Sequence, residues 1–202
     1  MKALSKLLTM MVICAPFGMA QNRYAADVLS LNPLGYWRLD GNALDATNNA
    51  NNGTLVNGVT FTAAGGGAPI GDPNSVAASF NSSLAQYINI PAGEPTLNSI
   101  FDLEWNRAFS MIVWVKTTET GSILLGKEEG TGNFRGPYIF IDSGSDNVEP
   151  AGSGRFGLHI VNSTTGNTAV RVSANVSVND GAWHFLAATY DGSGLASGVG
   201  SA

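Results

Sequence analysis

Cysteine is almost absent from this chain of 202 residues. The single cysteine, Cys14, lies close to the amino terminus, so the chain cannot form an intrachain disulfide. This excludes the small secreted scaffolds that disulfides hold together. The roughly 180 residues that follow the first 20 are enough for one domain, which should bury about 70% of its unfolded surface. The sequence therefore predicts a single domain that is stabilised by its packed core.

Charge is also scarce. Asp, Glu, Lys and Arg make up 12% of the chain, about half of the usual globular share of roughly 25%. The formal net charge is −5, and Lys2 and Lys6 both lie within the first 20 residues. Nucleic-acid binding requires clustered Lys and Arg, which this chain lacks. The composition excludes that partner class and leaves cations or neutral ligands as candidates.

Long apolar runs are missing as well, and the longest one lies at the amino terminus. Residues 1–20 begin with Lys2 and Lys6, continue through an apolar stretch that ends near Cys14, and finish with small residues around Ala20. This order is typical of a secretory signal peptide, with cleavage expected before Gln21. The apolar stretch is shorter than the roughly 20 residues that span a bilayer. We predict a secreted, extracellular or cell-surface protein without a membrane span.

Helical periodicity is not sustained over three turns anywhere in the chain, whereas turn-forming Gly, Asn and Ser are abundant. Short β-branched and aromatic runs between such turns are typical of an all-β protein, and we predict an antiparallel β-sandwich (jelly roll). Two short helical turns are expected, at residues 25–31 and 96–103. The expected strands are 34–39, 54–56, 76–80, 86–90, 109–116, 122–127, 137–142, 155–161, 169–174 and 183–190.

Several segments, in their order along the chain, resemble one known module. They are YWRLDG, NNGT, AASFNSSLAQYINIP, FSMIVWVK, GSILLGK, GRFGLHIV and DGAWHFLAATYDG. Together they resemble the laminin G-like, concanavalin A-like jelly roll of secreted bacterial proteins. The resemblance implies a domain over residues 21–192. Family members usually continue past the TYDG turn with further strands, but residues 193–202 form a Gly/Ser-rich tail. We expect that the chain is a fragment of a longer protein, because the sandwich otherwise keeps an unpaired strand edge.

An Asp/Asn-rich stretch over residues 40–53 offers the oxygen ligands that calcium prefers. Its spacing is not that of an EF-hand, since Asp45 and Asn51 occupy the sixth and twelfth positions. The resemblance implies a structural calcium near this turn, perhaps shared with the turn after the last strand. The alternative is a turn whose side chains bond their own backbone. The predicted calcium ligands are Asp40, Asp45, Asn52 and Asp191.

The general fold that the resemblance implies is shared by glucanases, which cleave glycosidic bonds. Glycoside cleavage requires two carboxyl groups on either side of one bond. On a strand this means an acidic pair at i and i+2, since alternate residues share a face. No expected strand carries one, and the adjacent Glu128 and Glu129 lie in a loop. We therefore predict that the protein is not an enzyme, with a glucanase-like hydrolase as the least favoured alternative.

A ligand site is predicted from aromatic residues that stand beside polar ones, as in carbohydrate sites. The segment NFRGPY has this mixture, and WNR at 105–107 has another. Trp37, Trp114 and Trp183 lie within expected strands and are predicted to belong to the core. The preferred hypothesis is a secreted, non-catalytic module that binds an extracellular glycan or protein. The alternative is a structural or protein-binding spacer of a larger surface protein. The predicted ligand-binding residues are Asn133, Phe134, Arg135 and Tyr138.

Overall fold

The computed structural model describes residues 19–91, 103, 107–127, 136–144, 153–161 and 169–193. One α-helix, α1 (Met19–Ser30), is followed by four short strands: β1 (Thr54–Val56), β2 (Thr60–Phe61), β3 (Ala78–Ser79) and β4 (Tyr87–Asn89). A 3₁₀ turn, Ser82–Leu84, precedes β4. Among the described residues, no helix is long and apolar enough to cross a membrane.

Six longer strands make up the rest of the fold. They are β5 (Phe109–Lys116), β6 (Ser122–Gly126), β7 (Gly136–Ile141), β8 (Arg155–Val161), β9 (Ala169–Ser177) and β10 (Trp183–Tyr190). Strands β6 to β9 form an antiparallel meander in the order β6-β7-β8-β9, while β5 pairs with β10. The short strands pair as β1 with β4 and β2 with β3, again antiparallel. The predicted all-β antiparallel class is confirmed.

The core lies between the four-stranded sheet and the β5/β10 ribbon. Ile139 and Ile141 of β7 are completely buried, and alternate residues of β8 point into the same space. The ribbon contributes Met111 and Leu186 to this cluster. Burial of each such side chain contributes about 1.5–3 kcal/mol to stability. On β5, β7, β8 and β10, every second side chain therefore points into the core.

The strand predictions hold best for these long segments and fail near the amino terminus. Residues 34–39 do not form a strand, and only Trp37 makes an isolated bridge, to Asp45. Leu39 has a φ of +56°, which interrupts any extended run there. The helix is longer than the expected turn at 25–31, and it contains the predicted cleavage point. The helical turn expected at 96–103 falls, apart from residue 103, outside the described residues.

Candidate functional site

The loop between residues 34 and 53 is organised around the carboxylate of Asp45, which is buried. Its Oδ1 accepts hydrogen bonds from the backbone N–H groups of Tyr36 at 3.0 Å and Thr47 at 2.9 Å. Its Oδ2 accepts from the Thr47 hydroxyl at 2.8 Å, and from the backbone and side-chain N–H groups of Asn51 at 3.0 and 3.3 Å. Five donors from three residues therefore converge on one carboxylate and fix the loop.

The other predicted calcium ligands are also engaged with donors. Asp40 forms an ion pair with Arg38 at 2.9 Å. Asn52 Oδ1 accepts a hydrogen bond from the backbone N–H of Asp45 at 3.0 Å. Asp191 lies beyond β10, where its Oδ1 accepts from the backbone N–H and the hydroxyl of Ser193. Asp45 and Asn52 are therefore hydrogen-bonded to each other, while Asp40 and Asp191 each contact a nearby residue of their own segment.

The four predicted ligand side chains, with the hydrogen bonds and the ion pair described above, do not have the arrangement of a calcium site. A calcium site needs six to eight oxygen lone pairs directed at one point, but both Asp45 oxygens already face N–H and O–H groups. In the part of the chain that the structure describes, no three His, Cys, Asp or Glu side chains are grouped to hold a metal. The contacts match the alternative of a turn whose side chains bond their own backbone. Calcium binding itself stays a prediction.

Hydrogen bonding also changes the titration of two buried carboxyl groups. Burial alone would raise the pKa of Asp45, but the backbone N–H donors of Tyr36, Thr47 and Asn51 outweigh it and lower the pKa below its usual range. Asp142, which follows β7, behaves alike: burial raises its pKa, but the Gly144 N–H, the Ser153 hydroxyl and the Arg171 guanidinium outweigh that effect and lower the pKa below its usual range. Both side chains are therefore ionised at neutral pH.

These lowered pKa values predict a loss of stability in acid. A carboxyl group with a lower pKa in the folded state than in the unfolded state contributes stability above the unfolded value, about 4, and loses it as the pH falls further. We expect the urea midpoint of the protein to fall between pH 5 and about pH 2. Asp45→Asn should show a shallower fall over the same range, whereas an unchanged pH profile in that variant would contradict the assignment.

The predicted ligand segment is only partly visible. Asn133, Phe134 and Arg135 lie outside the described residues, while Tyr138 lies on β7, half-buried on the face of the four-stranded sheet that points away from the core. Its hydroxyl is hydrogen-bonded to Nδ1 of His159 on β8, and the two rings meet edge to face with centroids 5.0 Å apart. Burial lowers the pKa of His159. The ligand role of this segment stays a prediction.

A second candidate site was not predicted from the sequence. It is a cleft of about 2630 Å³ whose lining includes parts of α1, residues 36–40 and 75–91, strands β5 and β6, and Trp183 and Phe185 of β10. We call it the aromatic cleft, because eight aromatic residues line it. They are Tyr24, Tyr36, Trp37, Phe80, Tyr87, Trp114, Trp183 and Phe185.

Several rings of the aromatic cleft are open to solvent. The exposed fractions are 51% for Phe80, 53% for Tyr87 and 52% for Phe185. Trp114 is half-buried beside Phe185, with ring centroids 5.3 Å apart, and its indole N–H donates to the Tyr24 hydroxyl at 3.0 Å. This hydrogen bond joins α1 to β5 within the lining of the cleft.

Polar groups lie among these rings. The Arg38–Asp40 ion pair and the side chain of Asn89 line the same cleft. Burial raises the pKa of Tyr36, and nearby Tyr24 and Asp40 add to the effect, so the Tyr36 hydroxyl stays protonated. The cleft therefore offers hydrogen-bond donors and acceptors beside apolar ring surfaces.

The tryptophan predictions were wrong in a way that matters for function. Trp37, Trp114 and Trp183 were expected in the core, but all three are half-buried and line the aromatic cleft. The sequence did carry a sign of this, since Ile112 and Trp114 give β5 a second apolar face. Other elements cover that face only partly, since Ile112 is 51% exposed.

Comparisons with known proteins agree with this architecture. The profile of a family described as the concanavalin A-like lectin/glucanases superfamily matches residues 81–197, which is more than half of the chain. No curated protein and no solved structure matched. The matched region contains strands β5 to β10, which form both layers of the sandwich. It also contains four of the eight aromatic residues of the aromatic cleft, Tyr87, Trp114, Trp183 and Phe185. The chain therefore belongs to the concanavalin A-like lectin/glucanase superfamily, as a laminin G-like domain whose fold supports a role as a binding module.

Proposed function

We propose that the protein is a secreted, non-catalytic module that binds an extended carbohydrate in the aromatic cleft. One observation carries the proposal: Phe80, Tyr87 and Phe185, each about half exposed, line one cleft together with polar side chains. Aromatic rings offer flat apolar surfaces, and neighbouring polar groups fix the orientation of a ligand. A sugar ring, which has apolar faces and hydroxyl edges, matches that combination.

The size of the cleft supports an oligomeric or polymeric ligand. Small-molecule pockets are typically about 300–1000 Å³, whereas this cleft has a volume of about 2630 Å³. Its rings come from both walls, with Phe185 on β10 and Tyr87 on β4. The net charge of −5 disfavours a polyanion such as nucleic acid, so we favour a neutral glycan.

A binding role without catalysis is supported by the distribution of acidic residues. None of the ten described strands contains Asp or Glu. Hydrolysis of a glycosidic bond requires two carboxyl groups about 5–9 Å apart, and strands are where this fold could hold such a pair rigidly. Laminin G-like domains are usually extracellular, which agrees with the predicted signal peptide at residues 1–20.

The test is glycan binding by matched variants. We expect saturable binding of the purified protein to at least one neutral polysaccharide, and about tenfold weaker binding, or ~1.4 kcal/mol, for Phe185→Ala and Tyr87→Ala. Both side chains are exposed, so the fold should survive. Leu44→Ala is the control, because Leu44 is 57% exposed and does not line the cleft.

Two outcomes would redirect the proposal. If Phe134→Ala or Tyr138→Ala weakens binding and the cleft variants do not, the site lies at the segment predicted from the sequence. If a cooperatively folded sample binds no glycan, the alternative of a structural or protein-binding domain is favoured. The exposed aliphatic side chain of Ile112 in the cleft would suit such a protein partner.

A further inference from the structure

An Arg–Asp ion pair lies in the wall of the aromatic cleft. The Nη2 atom of Arg38 is 2.9 Å from Oδ2 of Asp40, and both residues line the cleft. Two other Arg–Asp pairs occur among the described residues, one within α1 and one between Arg171 and Asp142, and neither has both members in the cleft lining. The cleft therefore holds one fixed combination of a cationic donor and an anionic acceptor in the described part of the chain.

Both members of this pair remain accessible to a ligand. The side chain of Arg38 is 31% exposed and that of Asp40 is 28% exposed. A guanidinium carries five N–H donors and a carboxylate has about four acceptor positions, so a contact between one nitrogen and one oxygen uses only part of either set. Hydrogen bonds to charged groups are also stronger than those between neutral groups. The pair can therefore bind two neighbouring hydroxyl groups, one that donates to Asp40 and one that accepts from Arg38.

The backbone that carries the pair is held by the loop around Asp45. The N–H of Tyr36 donates to Oδ1 of Asp45 at 3.0 Å, and the Tyr36 carbonyl accepts from the N–H of Ala46 at 2.8 Å. Leu39, between the two charged residues, has a φ of +56°, which a bulky side chain adopts rarely and at a cost in energy. Such conformations persist where the surrounding structure fixes them, and they occur often at ligand sites. The pair is therefore preorganised, which lowers the entropic cost of binding.

The charges in the lining of the cleft indicate a neutral ligand. Among the described residues that line it, three are acidic and three are basic. They are Asp27, Asp40 and Glu119, and Arg38, Lys116 and Lys127. Binding surfaces complement the charge of their partners, so a balanced wall favours neither a polyanion nor a polycation. A neutral ligand that carries hydroxyl groups matches this wall.

From these contacts we infer that Arg38 and Asp40 determine the specificity of the cleft by binding two vicinal hydroxyl groups of one neutral sugar ring. Asp40 accepts a hydrogen bond from one hydroxyl, and Arg38 donates to the next. The inference rests on the proposed glycan-binding function, in which the aromatic rings contact the apolar faces of the sugar. A sugar that lacks these two hydroxyls cannot form the hydrogen bonds, and sites built around such bonds reject analogues of that kind strongly.

The first test removes one charge at a time. The probes are soluble mixed-linkage β-glucan, amylose and galactomannan, which are neutral and carry vicinal hydroxyls. For the polysaccharide that the protein binds, Arg38→Met and Asp40→Asn should each raise the dissociation constant at least about tenfold, as loss of a hydrogen bond to a charged group does. Arg23→Met and Asp180→Asn are the controls, because they remove the same charges outside the cleft lining and should bind as the unmodified protein does.

The second test changes the ligand. Methylation of the hydroxyl groups of the same polysaccharide removes the donors and keeps the sugar ring. The unmodified protein should bind the methylated form at least about tenfold more weakly than the parent form. Asp40→Asn should show a smaller difference between the two forms, because the two changes then act on one interaction. Phe185→Ala should show the same difference as the unmodified protein, because it acts on another part of the ligand.

The outcomes distinguish this inference from the proposed function. If Phe185→Ala weakens binding while Arg38→Met and Asp40→Asn bind like the unmodified protein, the role of the ion pair is overturned and the cleft remains a glycan site. An equal effect of methylation on Asp40→Asn and on the unmodified protein would overturn it as well. If the folded protein binds none of the three polysaccharides, both proposals are wrong. Urea midpoints show that each variant is folded, and they should change little, because the ion pair is partly exposed.

Discussion

Replacement of Asp45 by alanine is expected to lower the free energy of unfolding by about 3 kcal/mol or more. The carboxylate accepts five hydrogen bonds that tie residues 36, 47 and 51 together. Removal of an acceptor leaves its buried donors without partners, at a cost of about 1–3 kcal/mol for each group that water cannot reach. Equilibrium unfolding in urea, followed by tryptophan fluorescence, measures the difference.

Asp40→Ala is the matched control for this variant. Asp40 is an acid of the same loop, but its described contact is a partly exposed ion pair with Arg38. Such pairs contribute about 0–1 kcal/mol, so we expect a loss within that range. Equal losses in the two variants would mean that the hydrogen bonds of Asp45 do not hold the loop.

The same variant also separates a hydrogen-bonded turn from a metal site. If the loop is fixed by its own donors, the melting midpoint of the unmodified protein is the same in millimolar calcium and in chelator. A ligand that binds only the folded state would raise the midpoint by mass action. A higher midpoint in calcium that Asp45→Ala abolishes would support the predicted calcium site.

The core of the sandwich could be predicted from the sequence because it follows from local alternation. Along β7, every second residue from Pro137 to Ile141 is apolar and buried, as period-two patterning requires. The strand bounds of β5, β8 and β10 follow from the same rule. Their pairing partners do not, since pairing depends on contacts between distant parts of the chain.

The candidate site was harder to predict for the same reason. Trp114 lies in an apolar strand, so its local context indicates the core. Trp114 lies on the outer face of the ribbon beside Phe185, and its burial depends on which distant segments cover that face. Near Asp45, the Asx-rich composition was compatible with either calcium or a turn. The positions of the Thr47 and Asn51 N–H groups favour the turn, and only the folded loop shows these positions.

Replacement of Asp142 by alanine should also be strongly destabilising, by about 3–5 kcal/mol. Asp142 is 2% exposed and accepts hydrogen bonds from the Gly144 N–H at 2.9 Å and the Ser153 hydroxyl at 3.1 Å. Arg171 of β9 donates to it at 3.1 Å, and the guanidinium also lies 4.6 Å from the centre of the Phe140 ring. Loss of one partner leaves the other charge partly buried, which is why broken buried pairs are costly.

A double-mutant cycle with Arg171→Met separates the ion pair from the other contacts of Asp142. Arg171→Met alone should cost less, because the carboxylate keeps Gly144 and Ser153 while methionine keeps an apolar contact with Phe140. The double variant should be more stable than the sum of the single losses predicts, because neither charge is then left without its partner. Asp27→Ala is the control, since its ion pair with Arg23 is exposed and spans 4.0 Å. Additive losses in the cycle would mean that Asp142 acts through the turn at residues 142–144 alone, and that β7 and β9 are joined by the sheet rather than by this pair.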